Sequence, residues 1–243
     1  MTINGVEVST FGARQSHITF GHHTYSNESA WIRSSPLPHL ENNYIGFKSF
    51  EVDLIVKPIA GQQAENARDA INKNISDLLA ELLQPAVLEL DGFSHSFKGI
   101  LKSHKVDEMS PRHWHKLTLE FDGYEYGTEI TYSGTSSITI VNPGNILSPL
   151  LLEIMPTATV NNVTVTGICR NPHTGDDMPV TMGKITQNKV IRLDGANGLF
   201  TEDGTLKSNI DIRVPPAITG GTHTITCSAA SASMVATVLP LYM

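Results

Sequence analysis

Charged residues are scarce in this chain of 243 residues: Asp, Glu, Lys and Arg make up 17% of it, against roughly a quarter in an average soluble protein. The few cations are scattered. No Lys/Arg cluster exists that could neutralise a row of phosphates, which argues against tight or sequence-specific nucleic-acid binding. No apolar run approaches the roughly 18 residues of a membrane-spanning helix, and MTINGVEVST lacks a basic segment followed by an apolar one. A soluble protein made in the cytoplasm is expected. Cysteine is almost absent, with only Cys169 and Cys227, both in segments that read as strands. The sequence leaves open a bridge or two buried thiols, and the second is favoured because small secreted scaffolds use more cysteines.

Other absences bear on chemistry. There is no Gly-x-Ser-x-Gly elbow, no phosphate-binding glycine loop and no His-Glu-x-x-His, so the hydrolase, nucleotidase and metalloprotease readings have no motif. Glu153, Asp176, Asp177, Asp194, Glu202 and Asp203 could supply the two carboxylates of a glycosidase, but nothing pairs them, and Asp176, Asp194 and Asp203 adjoin turn residues where Asp bonds locally. Ten histidines invite a metal reading. His113 and His115 fall on one face of a strand leading into Leu117, with His104 and the His22-His23 pair as further candidates. Trp114 and Lys116 beside them, and the lack of Cys or carboxylate at ligand spacing, favour solvated side chains. No metal and no cofactor are expected, and catalysis is not. Three Asn-x-Ser/Thr patterns, at Asn27, Asn74 and Asn162, read as chance.

What the chain has in plenty is Gly, Pro, Ser, Thr and Asn, the mix of many short strands joined by turns. The strongest strand is FKSFEVDLIV: Phe50, Val52, Leu54 and Val56 point one way, and Ser49, Glu51 and Asp53 the other. A first strand is read over Ile3–Val8, and others over Ala86–Leu90, His95–Leu101 and His115–Phe121. A single helix is expected over about 62–83, with Ala67, Ile71, Ile75, Leu78, Leu79 and Leu82 on its apolar face and Pro85 beyond its end. Residues 21–46 read as a long loop or projecting hairpin. Within it, Trp31 and Tyr44 are candidate inter-subunit contacts or pack on their own domain.

Around residues 122–137 the chain turns Gly-, Ser- and Thr-rich, and the domain boundary is placed at 132/133. The first domain, 1–132, holds the acidity, with 11 Lys/Arg against 17 Asp/Glu; 133–243 has 6 against 7. Beyond the boundary only short strands recur, near 138–141, 150–155, 163–168, 190–193, 210–214, 223–227 and 234–239. Turns such as Asn142-Pro143-Gly144 and Asp203-Gly204 separate them, the rhythm of a β-sandwich.

INGVEV at the start, FKSFEVDLIV followed by a helix, and SSITIVNPGNILSPLLLEI together resemble the distal tail proteins (Dit) of long-tailed phages. VIRLDGANGLF followed by IDIRVPP and GGTHTITC extends the likeness to nearly the whole chain. Where such proteins often carry a Gly-rich, basic turn before the central strand, this sequence has Glu41–Gly46. The resemblance implies a mainly β protein, with an N-terminal β domain of barrel- or sandwich-like type carrying one helix and a C-terminal galectin-like β-sandwich. It further implies a homo-oligomer, a hexameric ring of N-terminal domains at the virion tail tip or baseplate. The ring would join the tail tube protein to a tail-tip or tail-associated lysin protein and to receptor-binding proteins. The rival reading is a carbohydrate-binding module for host attachment. From Ser133 onward, however, the only aromatics are Phe200 and Tyr242, so the ring that usually stacks on a sugar is missing.

Overall fold

The computed structural model describes residues 1–30, 39–59, 61, 66–110, 113–171 and 175–243, and only the backbone of 22–30 and 39–45. The chain forms two compact units, Met1–Tyr126 and Gly127–Tyr242. The first ends at Tyr126 and the second begins at Gly127, and Ile130–Thr135, which lacks a strong apolar pattern, is a strand of the second unit. No described helix is long and apolar enough to cross a membrane.

The first unit contains β1 (Thr2–Ile3), β2 (Val6–Glu7), β3 (Ala13–Ala30), β4 (His39–Val56), α1 (Ala67–Ala80), β5 (Ala86–Glu89), β6 (Ser96–Ser110) and β7 (Trp114–Tyr126). The expected first strand is thus broken into two by an Asn4-Gly5 turn, where both residues have positive φ. The strands form one antiparallel sheet in the order β2-β1-β5-β6-β7-β4-β3. Its spine is the β4–β7 pair, with Phe50 opposite Phe121, Val52 opposite Leu119 and Leu54 opposite Leu117. All six are buried. Because side chains alternate, one register puts every one of them on the core face and sends Glu51, Asp53, Thr118 and Glu120 to the other. The helix lays Ile71, Ile75 and Leu78 into the same core. The described helix is shorter than the expected span, whose first residues, 62–65, lie outside the described residues.

Two polar groups are buried beneath this helix and sheet, for different reasons. Asn74 donates Nδ2 to the Lys57 carbonyl (3.1 Å), tying the helix to the end of β4. Its burial also removes it as a glycosylation acceptor. Near the same point Gly12 sits at φ 65°, and a Cβ there would lie 2.2 Å from the Lys57 oxygen, so only glycine fits. His115 follows the core alternation of β7 and is fully buried, with neither ring nitrogen hydrogen-bonded among the described residues.

The second unit contains β8 (Ile130–Thr135), β9 (Ser137–Asn142), β10 (Ser148–Met155), β11 (Val160–Thr166), β12 (Val180–Ile185), β13 (Ile191–Asp194), β14 (Leu199–Glu202), β15 (Thr205–Leu206), β16 (Ile210–Asp211), β17 (Ala217–Ile218), β18 (Gly221–Cys227) and β19 (Ser233–Val238). One run of strands, β15-β14-β13-β10-β19-β8, meets another, β9-β18-β11-β12-β16, only through the Thr135–Ser137 pair across Ser136, which has φ 57°. The chain therefore turns a corner there and forms a sandwich. Ile138, Ile140, Leu150, Leu152, Val163, Val165 and Ile225 fill it. The Asn142-Pro143-Gly144 turn is held from inside. Asn142 donates Nδ2 to the Thr219 carbonyl (3.1 Å) and accepts the Gly144 N–H (3.0 Å). Cys169 and Cys227 are free and buried, and burial pushes the Cys169 thiol up to about 12.

Two outcomes are expected. His115→Leu should stabilise the first unit by about 1–3 kcal/mol in chemical denaturation, since it removes a buried imidazole that forms no bond; a loss of stability would show that a partner exists. Thiol titration without reductant should find two groups after denaturation, and finding none would reveal a bridge.

Candidate assembly surfaces

A sheet exposes unpaired N–H and C=O groups wherever a strand lacks a neighbour, and among the described residues the first unit has two long stretches of this kind besides the two-residue edge strand β2. β3 pairs only with β4 and forms one edge of the sheet. β6 is paired on both sides only where the four-residue β5 covers Ser96–Gly99. Residues 100–110 continue beyond β5 and, among the described residues, pair with β7 alone. This stretch leaves Ile100, Val106 and Met109 exposed. The two edges differ in sequence and length, as a closed head-to-tail contact requires.

The β3 edge is anchored at one end. Gln15 donates Nε2 to the Asp91 carbonyl (3.0 Å) and accepts the Asp91 N–H (2.9 Å), so a side-chain amide imitates one rung of a β-ladder. Beyond it, β3 and β4 stay paired as far as Ala30 and His39, with irregular register at several points. Of the two sequence alternatives for residues 21–46, the structure shows the hairpin. Its root is aromatic. Phe20 lies 5.1 Å from Phe93 and 5.3 Å from Phe97, and the Lys48 ammonium sits 4.9 Å from the Phe20 ring centre. Glu125 then clasps the root, accepting Lys48 Nζ (2.9 Å) and contacting His95 Nδ1 (2.7 Å). Burial raises the Glu125 carboxyl, but the bonds from His95 and Lys48 outweigh it and hold it below its ordinary value.

The outer face of the same sheet carries charge. Glu51 stands directly opposite Glu120, a like-charge pair that costs stability unless compensated. Lys102 approaches Glu120 at 3.1 Å and Ser103 donates to it at 2.8 Å. Asp53 is bound by Lys116 (2.8 Å) and the Thr118 hydroxyl (2.6 Å). Burial raises its carboxyl, and these two bonds bring it net lower.

Among the described residues, those singled out from sequence do not gather into a reactive site. Trp31 lies outside the described residues; Tyr44 is in β4 opposite Ser26, and only its backbone is described. His115 is in the core, while His113 is exposed in the turn before β7, so the two do not share a face. No group of three His, Cys, Asp or Glu able to hold a metal occurs among the described residues. The carboxylates are occupied structurally. Asp194 accepts the N–H groups of Ala196 and Asn197. Asp177 accepts that of Gly167, and Glu202 accepts that of Thr186 and pairs with Lys207 at 2.7 Å. Sequence reading missed the Lys48–Glu125–His95 clasp, whose members are far apart in the chain and have no motif spacing.

No protein-family profile matches the chain, and no curated protein matches it. Solved structures do. The SPP1 Dit protein, described as a paradigm of the hub adsorption apparatus in phages infecting Gram-positive bacteria, superposes with a TM-score of 0.70 at 11% identity, over 99% of this chain and 98% of that one. The phage P2 baseplate in its activated conformation with calcium gives a TM-score of 0.48 at 11% identity, covering 95% of this chain and 92% of that one.

Lowered carboxyls stabilise above their unfolded values, and that stabilisation is lost as pH falls through the folded ones. The first unit should therefore hold its stability near neutrality and lose it progressively below about pH 5. Glu125→Gln should lower stability near neutrality and flatten this acid limb, read by denaturant midpoints across pH. An unchanged acid limb would remove Glu125 from the account. Matched at a TM-score of 0.70 over almost the whole length of both chains, this chain has the fold of the SPP1 Dit protein.

Proposed function

We propose that this protein is a structural, non-enzymatic hub of a phage tail. The observation that carries this is the full-length match to the SPP1 Dit protein, since a binding module alone would be expected to match over one unit. In this reading the first units close into a ring, six by resemblance, at the virion tail tip or baseplate. One side of the ring takes the tail tube protein, and the other a tail-tip or tail-associated lysin protein. The second, galectin-like unit offers a platform for receptor-binding proteins. The two dissimilar edges of the first unit support this reading, as does a low share of charged residues with no cationic cluster in the sequence.

Sugar attachment is the weaker reading, because Phe200 is half-buried against the sandwich core rather than presented to solvent.

Negative-stain images of the full-length protein, with mass from light scattering, test the ring. Single rings of about six subunits are expected. Val106→Lys combined with Met109→Glu puts charge on the open β6 edge, which should block strand addition without touching the core. The double variant should fold and lose the ring. A variant that still forms rings would exclude this edge, and rings built by the second unit would overturn the assignment.

A further inference from the structure

The sequence contains two Asn-Gly pairs, Asn4-Gly5 and Asn197-Gly198. Such pairs are chemically weak points, since a glycine offers least hindrance to attack by its backbone nitrogen on the preceding carboxamide. We infer that Asn197 is a site of spontaneous deamidation and that Asn4 is protected from it by its contacts.

The contrast lies in what holds each carboxamide. Asn4 donates Nδ2 to the Glu81 carbonyl at the end of the helix (3.2 Å) and accepts the Val87 N–H on Oδ1 (2.9 Å). Its own N–H donates to the Val87 carbonyl (2.8 Å). Turning this side chain toward the Gly5 nitrogen requires breaking bonds to two other elements. Asn197 is exposed in the loop joining β13 to β14, and among the described residues its side chain is held by Asp194 alone, through Nδ2 to Oδ2 (2.9 Å) within the same loop. Only the two-residue β15 lies outside β14. Release of the Asn197 carboxamide therefore needs one bond broken inside the loop, while Gly195 stays fastened to the Leu150 carbonyl (3.0 Å), and low-cost openings of this kind belong to exposed loops. Gly198 (φ 64°) and Gly5 (φ 79°) both have open space at the Cβ position, so the two pairs differ in what holds the carboxamide rather than in crowding at the glycine.

The step balances with water as the co-reactant. The Gly198 nitrogen bonds to Cγ of Asn197, the Cγ–Nδ2 bond breaks, and the Gly198 amide proton leaves with Nδ2 as ammonia, giving a succinimide. Water then opens the ring at either carbonyl, leaving aspartate or isoaspartate at position 197. The product replaces a donor to Asp194 with a second carboxylate. Asp194 anchors the loop through the Ala196 and Asn197 N–H groups, so the new repulsion falls on the fastening of the β13–β14 hairpin. The modification acts as a slow, irreversible clock on the second unit.

The test is peptide mapping by mass spectrometry of the full-length protein after prolonged incubation in mildly alkaline buffer, beside a urea-unfolded sample in which both pairs are free to react. In the folded protein, conversion at position 197 should exceed that at position 4 by about tenfold or more, the factor that one extra hydrogen bond of ordinary net strength makes in an opening equilibrium. The unfolded sample should show comparable rates at both. Equal conversion in the folded protein, or none at position 197 while the unfolded sample reacts, overturns the inference. Asn197→Gln, which cyclises far more slowly, should remove the product peak; its persistence would place the reaction elsewhere.

Discussion

The antiparallel pairing of β4 with β7 is the constraint on which the first unit depends. Its register decides at one stroke that Phe50, Val52, Leu54, Phe121, Leu119 and Leu117 face the helix and that the carboxylates face away. A slip of one residue would put Glu51 and Glu120 in the core, so the pair is specified by burial itself. Everything peripheral follows from this spine. The helix covers one face, the hairpin extends one side, and β6 runs past its short neighbour β5 on the other. Truncating Phe50 to alanine would cost on the order of 3–5 kcal/mol, a large part of a typical domain's stability.

The two units manage strand edges differently. The second folds its strands into a sandwich at Ser136, and its carboxylates and buried Asn142 are spent on holding turns. The first leaves long edges on β3 and β6, with apolar side chains along part of the latter. Edges of that length are a hazard in a monomer and an asset in an assembly. The clasp of Lys48, Glu125 and His95 at the hairpin root fits the same pattern, since it fixes the base of an element that extends beyond the core.

Much of this was legible in the sequence, for physical reasons. FKSFEVDLIV and HKLTLEF alternate cleanly because each covers a core on one face only, and the helix shows through its 3.6-residue spacing. Where both faces of a strand are polar or partly exposed, the signal fails. The strand at 130–135 falls within the Gly-, Ser- and Thr-rich stretch that carries no strong apolar pattern, and Val180–Ile185 escapes notice because Met182-Gly183-Lys184 breaks its alternation. The segment at 210–214 was read longer than the two residues that pair, Ile210 and Asp211. His113 and His115 read as two solvated residues on one strand face because strand periodicity is extended one step too far; β7 begins at Trp114, the turn sends His113 outward, and His115 is buried in the core. The clasp and the Gln15–Asp91 rung had no sequence signal, because residues far apart in the chain meet only through the sheet order.

Hydrogen–deuterium exchange on the full-length protein, compared between assembled and dispersed states, tests the central claim most directly. Assembly through the first unit predicts that amides of residues 100–110 and of β3 slow sharply in the assembled state while those of the sandwich do not change. Protection confined to the sandwich strands, with the β3 and β6 edges exchanging freely in the assembly, would contradict it.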